Sequence, residues 1–165
     1  MKDNELVTWT QRYELGIPLI DQQHKQLVQL TNNLFLACLN GETTESFAQA
    51  VAEAVDYTKY HFNAEEKLLE QVRYPNIEAH KKEHRDFVNE LAQAVQAFKD
   101  GKKFVPNNFA RYLRDWILTH IAISDKIYAD YIFNLKRQNL LQKAKRTAVA
   151  TAGAFFARIH GYRHA

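Results

Sequence analysis

The chain is poor in several things, and each shortage narrows what it can be. Among 165 residues there is one cysteine, Cys38. No intrachain disulfide can form, and its place on an apolar stripe makes Cys38 a small core residue. Five glycines and three prolines are too few for a β-sandwich or a loop-rich fold. No apolar run approaches the roughly 20 residues that a helix needs to cross a bilayer. Residues 1–10 are polar and carry both charge signs, which reads as the lack of a secretory leader. Internal repeats and low-complexity segments are missing too. These shortages describe one globular domain of the reducing cytoplasm, long enough to bury a substantial core.

Net charge is small but unevenly spread. The whole chain carries +3, whereas residues 135–165 hold seven Lys and Arg and no acid, so the remainder is net −4. A mildly acidic body therefore bears a basic tail. The sequence pI of about 8.9 says little about the body's partners.

Apolar residues recur with a helical period. After an arm, residues 1–18, with Trp9 and Tyr13 but no period, Ile20, His24, Leu27, Thr31, Leu34 and Cys38 step by three and four up to Asn40-Gly41. Thr43 and Thr44 are capping residues for a second helix with an inner face of Phe47, Val51, Val55, Thr58, His61, Glu65 and Leu68, broken by Tyr74-Pro75. A third carries Ile77, His80, His84, Phe87, Leu91, Val95 and Phe98, and stops at Asp100-Gly101. Pro106 opens a fourth, with Phe109, Leu113, Trp116, Ile117 and His120 inward, then Ile127 and Tyr131. Short connections make neighbours antiparallel. The expected fold is all-α: an up-down-up-down four-helix bundle with an N-terminal arm, spanning residues 1–134, and a helical extension over 135–165.

Five of the seven histidines stand where that core stripe calls for an apolar residue, together with two carboxylates: His24, His61, Glu65, His80, His84, His120 and Asp125. A buried, unpaired carboxylate costs several kcal/mol, so Glu65 facing the core demands a partner. Residues four apart share a helix face, which groups His61 with Glu65 and His80 with His84. The step of five from His120 to Asp125 is not a same-face spacing. If both are ligands, a π-type turn is expected there. Each piece alone has an ordinary reading as a surface pair or a satisfied histidine, but all of them in phase on four successive helices point to a two-metal site. Five imidazoles, two bridging carboxylates and one oxo or hydroxo bridge leave one of about twelve positions open on two six-coordinate ions. Imidazole-rich coordination suits iron better than Mg or Ca, which prefer oxygen shells. His160 and His164, in the tail, fit no such pattern and read as solvent-exposed.

These residues resemble a known family, the hemerythrins, in their stand-alone bacterial form. The likeness runs from Trp9 to about Tyr131. It is carried by Tyr13-x-Leu15-Gly16-Ile17-Pro18, by Ile20-Asp21-x-Gln23-His24 with Leu27, and by His61-Phe62-x-x-Glu65-Glu66-x-Leu68-Leu69. Tyr74-Pro75 then precedes His80-x-x-x-His84-x-x-Phe87, and Trp116-x-x-x-His120-Ile121-x-x-x-Asp125 completes the set. The resemblance implies two Fe ions bridged by oxo or hydroxo and a protein that binds O2 reversibly rather than an enzyme. It places His80, His84 and His120 on one iron, His24 and His61 on the other, and Glu65 and Asp125 across both. O2 would sit as a hydroperoxide on the iron with the open position. Phe62, Trp116 and Ile117, beside ligands, are candidates for a dry wall around it as well as ordinary core residues. A di-iron redox enzyme (peroxidase, oxidase or nitric oxide handling) would use the same ligands in a wetter pocket. An O2 sensor would act through the C-terminal tail. No further core-facing acid or cysteine beside the site is evident as a proton relay, which weakens the oxidase reading.

The likeness does not cover the tail. Leu140, Leu141, Ala144, Ala148, Ala152, Phe155, Ile159 and Tyr162 keep a helical step, either as a fifth helix or as a continuation of the fourth, with Gly153 as a point of interruption. Its small and apolar face suits its own bundle, a homo-oligomer mate or another protein partner. Contact with an anionic membrane surface is the less favoured reading. No nucleic acid is expected, because the basic residues lack a reading motif.

Overall fold

A computed structural model describes residues 5–39, 44–100 and 106–161, except for the side chains of 44, 46, 97–99, 106–107 and 148–161. Its helices are α1 Pro18–Leu39, α2 Thr44–Gln71, α3 Ile77–Lys99, α4 Pro106–His120 and α5 Lys126–Gly161, with a 3-10 turn at Gln11–Tyr13 and a π turn at Ile121–Asp125. The fold is the all-α antiparallel bundle with an N-terminal arm and a helical extension. Helix α1 packs against α2 and α4, and α2 against α3. The chain divides into two compact units, Met1–Ala129 and Asp130–Ala165.

Local chemistry sets the boundaries. Pro18 is the first residue of α1, where a missing N–H costs nothing. The Asp21 carboxylate accepts the backbone N–H of Leu15 (2.7 Å) and Gly16 (2.9 Å), and Gly16 takes φ 77°, so the arm turns tightly into the helix. Asn32 binds both the N–H and the C=O of Val7, fixing the arm to α1. At the far end of α2, Tyr74 N–H reaches Leu69 O (2.9 Å) and Arg73 N–H reaches Glu70 O (3.0 Å), with Arg73 at φ 53°. This is a Schellman stop made without glycine, and Pro75 prevents any continuation.

One stretch of the core is purely apolar: Leu34, Phe47, Val51, Phe87, Leu91, Phe109 and Leu113 are buried together, with Cys38 packed at their edge. The inward stripe changes register from expectation at two places. On α2 the residue buried after Glu65 is Leu69, and Leu68 is half-buried. After the π turn, Ile127 is 55% exposed while Tyr128 is fully buried, and Tyr131 is half-buried. The reason is the turn itself, whose wider coil shifts the following helix by one position. Ile77, Val55, Val95 and Trp116 are half-buried.

The expectations for Asn40, Gly41, Thr43 and Gly101, and for the side chains of Thr44, Phe98, His160 and His164, fall outside the described residues. In the second unit α5 runs unbroken through Gly153, with Leu140, Leu141 and Ala144 exposed. No described helix is long and apolar enough to cross a membrane.

Candidate metal centre

Every helix of the bundle contributes to one buried cluster. His24 comes from α1, His61 and Glu65 from α2, His80 and His84 from α3, His120 from the last residue of α4, and Asp125 from the π turn. All seven are buried, Glu65 and Asp125 completely. The π turn lies where the five-residue step from His120 predicts it, and there it brings Asp125 onto the inner face.

The side chains gather around two foci. Glu65, His80, His84 and His120 form one group able to hold a metal ion, and His24, His61 and Glu65 another. Glu65 belongs to both: Oε1 lies 2.9 Å from His80 Nε2, and Oε2 lies 3.1 Å from His61 Nε2. Asp125 does the same, with Oδ1 3.0 Å from His120 Nε2 and Oδ2 3.3 Å from His24 Nε2. Each carboxylate thus turns one oxygen to each focus.

The outer ring nitrogens are engaged elsewhere. His61 Nδ1 donates to the amide oxygen of Gln23 (3.1 Å) and His84 Nδ1 to Glu66 (2.9 Å), while His120 Nδ1 lies 3.1 Å from the Glu83 carboxylate as an ion-pair contact. Ser124 Oγ donates to the same Glu83 oxygen at 2.7 Å. Acceptor-only partners put the proton on Nδ1 and aim the Nε2 lone pair inward. His84 Nε2 and His120 Nε2 face each other at 3.1 Å, where one cation could accept both lone pairs.

The inner atoms are otherwise unsatisfied. His80 Nε2 and Glu65 Oε1 are hydrogen-bonded, but both nitrogens of His24, Oε2 of Glu65 and both oxygens of Asp125 are buried without a hydrogen bond. Such a group costs about 1–3 kcal/mol, so a cluster of them is hard to sustain without a ligand. The donor set fits a pair of metal ions.

Protonation agrees with that. Burial, and after it the charge of Asp125, push the Glu65 carboxyl up, but the imidazoles of His61 and His80 outweigh both and hold it at about 2. Burial of Asp125 is likewise outweighed by His120 and His24, which keep it below its ordinary value. Burial drives His84 down to about 2 despite Glu65. For His120 burial is overcome by Asp125, and its value is raised. Two ionised carboxylates and a neutral His84 are the forms that a cation binds.

Aromatic rings close the cluster. Phe62 stacks on His84 at 3.7 Å and Trp116 on His120 at 4.5 Å, with Phe87 against the far side of Trp116 at 3.7 Å. Phe62, Trp116 and Ile117 line a cavity of about 10 Å³ with Leu27, Thr58 and Ile121, beside His24, His61, His120 and Asp125. Sequence periodicity misses Gln23, Glu66 and Glu83, whose one signal is to sit next to ligands in the chain. It also misses Tyr128, whose buried hydroxyl lacks a hydrogen bond and whose ring lies edge-on to His80. Burial, and then the charges of Glu65 and Asp125, hold that hydroxyl well above its ordinary pKa.

Comparison with known proteins bears on the same residues. The sequence profile of the family described as the hemerythrin HHE cation binding domain matches residues 15–132. A bacteriohemerythrin of Stenotrophomonas maltophilia (strain R551-3) is 32% identical over 127 residues, covering 77% of this chain and 82% of its own. One from Methylococcus capsulatus (Bath) is 32% identical over 124 residues, 74% of this chain and 94% of its own. Among solved structures, wild-type hemerythrin superposes with a TM-score of 0.70 at 29% identity, covering 76% of this chain and 96% of that one.

Proposed function

The chain belongs to the hemerythrin family, and from that membership we propose that it binds O2 reversibly, as a carrier or store. The binding site is a pair of iron ions held by His24, His61, Glu65, His80, His84, His120 and Asp125. The observation that supports this most is the set of buried, unpaired ligand atoms from His24, Glu65 and Asp125 aimed into one space. Iron bound here would supply the two electrons that O2 takes up and a vacant position to receive it.

The protein's part is to hold, orient and exclude. Glu65 and Asp125, each turning one oxygen to each focus, would hold both ions. His80, His84 and His120 would hold one, and His24 and His61 the other, whose smaller share of imidazoles would leave room for O2. The small cavity touches both imidazoles of that second set, together with His120 and Asp125. Gln23 and Glu66 hold the rings of His61 and His84 by hydrogen bonds, and Glu83 lies beside His120, so these three imidazoles start near the orientation that binding needs. Phe62, Trp116 and Ile117 keep bulk water from the cavity, and dryness is what makes binding reversible. Tyr128 retains its proton and stands as a hydrogen-bond donor near the carboxylates.

The test is a visible spectrum of the anaerobic, iron-loaded, reduced protein, recorded before O2, after O2 and after O2 is removed. An iron-dependent charge-transfer band that appears with O2 and disappears with its removal is expected. One-way oxidation of the iron would overturn the carrier reading in favour of a di-iron redox enzyme.

A further inference from the structure

The C-terminal extension is divided along its length into a basic part and an uncharged part. No Asp or Glu follows Asp130, while Lys136, Arg137, Lys143, Lys145 and Arg146 crowd the first part. Residues 147–157 then carry no charge and read TAVATAGAFFA, before Arg158 and Arg163 restore positive charge. Helix α5 runs through both parts without a break. The basic part is bare: every residue over 136–147 is exposed, Leu140 to 68% and Leu141 to 57%, and Phe133 is 40% exposed. Lys136 Nζ lies 5.4 Å from the Phe133 ring centroid, and Arg137 donates to Asn134 Oδ1 at 3.2 Å, both within the same helix. A helix in water owes most of its stability to the apolar face it buries, so these leucines call for a partner.

Two requirements define that partner. Charge is the first. The same helix from a second copy would bring the same basic side chains and no acid to pair with them, in either orientation, and like charges facing each other repel. The partner is therefore anionic. Apolar surface is the second requirement. A nucleic acid supplies phosphates but offers Leu140, Leu141 and residues 147–157 little apolar cover. A bilayer with anionic headgroups meets both requirements, since its charge attracts a basic segment and the boundary beneath takes up apolar side chains. The uncharged stretch is about 16 Å long at 1.5 Å per residue, about half the hydrocarbon core, so it enters one face and does not cross.

We propose that the extension is an anchor to the surface of an anionic membrane. Residues 136–146 bind the headgroups, and Leu140, Leu141 and residues 147–157 enter the interface beside them. Exposure of the leucines is what moves this reading ahead of the two that the sequence alone favours, the chain's own bundle and a homo-oligomer mate. The inference stands whatever ligand the metal centre takes, because it uses none of the residues there.

The experiment mixes the full chain with vesicles of phosphatidylcholine, alone or with phosphatidylglycerol, and measures the bound fraction by flotation at low and high salt. Expected is binding to the mixed vesicles that salt weakens, and little binding to phosphatidylcholine alone. Lys143→Glu, Lys145→Glu and Arg146→Glu together should weaken binding to the mixed vesicles about a hundredfold. Leu140→Ser with Leu141→Ser should weaken it about tenfold. All five positions are exposed, so both variants keep the bundle, which circular dichroism checks. No binding to either vesicle, equal binding to both, or a charge-reversed variant that binds like the wild type would overturn the anchor. Self-association without lipid that Leu140→Ser with Leu141→Ser abolishes would overturn it in favour of a second copy. Tighter binding to a DNA duplex than to the mixed vesicles would overturn it in favour of nucleic acid.

Discussion

Around Leu34, Phe47 and Leu91 the bundle is held by side chains that ask only to leave water. Their contribution grows with buried area, has no direction and needs nothing from outside. Around Glu65 and Asp125 the same helices bury ionisable groups, none of which would be stable there alone. The apolar part stabilises the fold without metal. The polar part leaves donor atoms of His24, Glu65 and Asp125 buried and unpaired, as a cation site would, and the difference separates the stability of the scaffold from the filling of the site.

The sharpest way to test that separation is to remove one member of each part. Glu65→Ala should cost about 3–5 kcal/mol in the metal-free protein, because it strands His61 and His80 among buried groups. Under metal saturation the loss should be larger still, since binding at about 1,000 Kd adds about 4 kcal/mol that the variant forfeits. Urea unfolding with and without iron, together with iron content, measures both parts. Leu34→Ala should cost about 2–5 kcal/mol by leaving a cavity, by the same amount with and without iron, and should keep the O2-dependent spectrum. A metal-dependent cost for Leu34→Ala would erase the distinction.

Acid supplies the third and smallest contrast. Folded Glu65 titrates at about 2 against an ordinary 4.5, so its stabilisation is present above 4.5 and drains away as the pH falls toward 2. His84 falls from 6.5 to about 2, so below 6.5 the unfolded chain takes up a proton that the folded chain refuses. Both effects weaken the metal-free fold between about 6.5 and 2. His120, raised, works oppositely: its contribution is complete below 6.5 and lost as the pH rises through its folded value. Thermal unfolding of metal-free protein across this range should show the slope. Glu65→Gln should flatten it below 4.5, and Leu34→Ala should lower the curve without changing its slope.

Which features were readable in the sequence depends on what fixes each residue's place. The helices and the inward place of His24, His61, Glu65, His80 and His84 are matters of period, which sequence carries directly. Even the distortion at Ile121–Asp125 was legible, because a five-residue step from His120 cannot keep one face on an α-helix. The phase of the helix beyond that turn was not legible: Ile127 continues the earlier phase on paper, while Tyr128 takes the buried place in the fold. Glu66 and Glu83 escape for another reason. They point at rings on neighbouring helices, His84 on α3 and His120 on α4, and such a pairing exists only after packing. Arg73 ends α2 with positive φ although the usual marker, glycine, is missing.

The π turn also changes how substitutions in this chain should be weighed. Up to His120 one numbering of inward positions applies, and beyond Asp125 another, displaced by a single residue. A pattern carried straight across would assign a strict apolar requirement to Ile127 and a permissive one to Tyr128, the reverse of what their surroundings impose. Tolerance to mutation along the end of the bundle is therefore discontinuous. One surplus residue in that turn acts there as a change of reading frame for side chains, with the buried carboxylate of Asp125 at the junction.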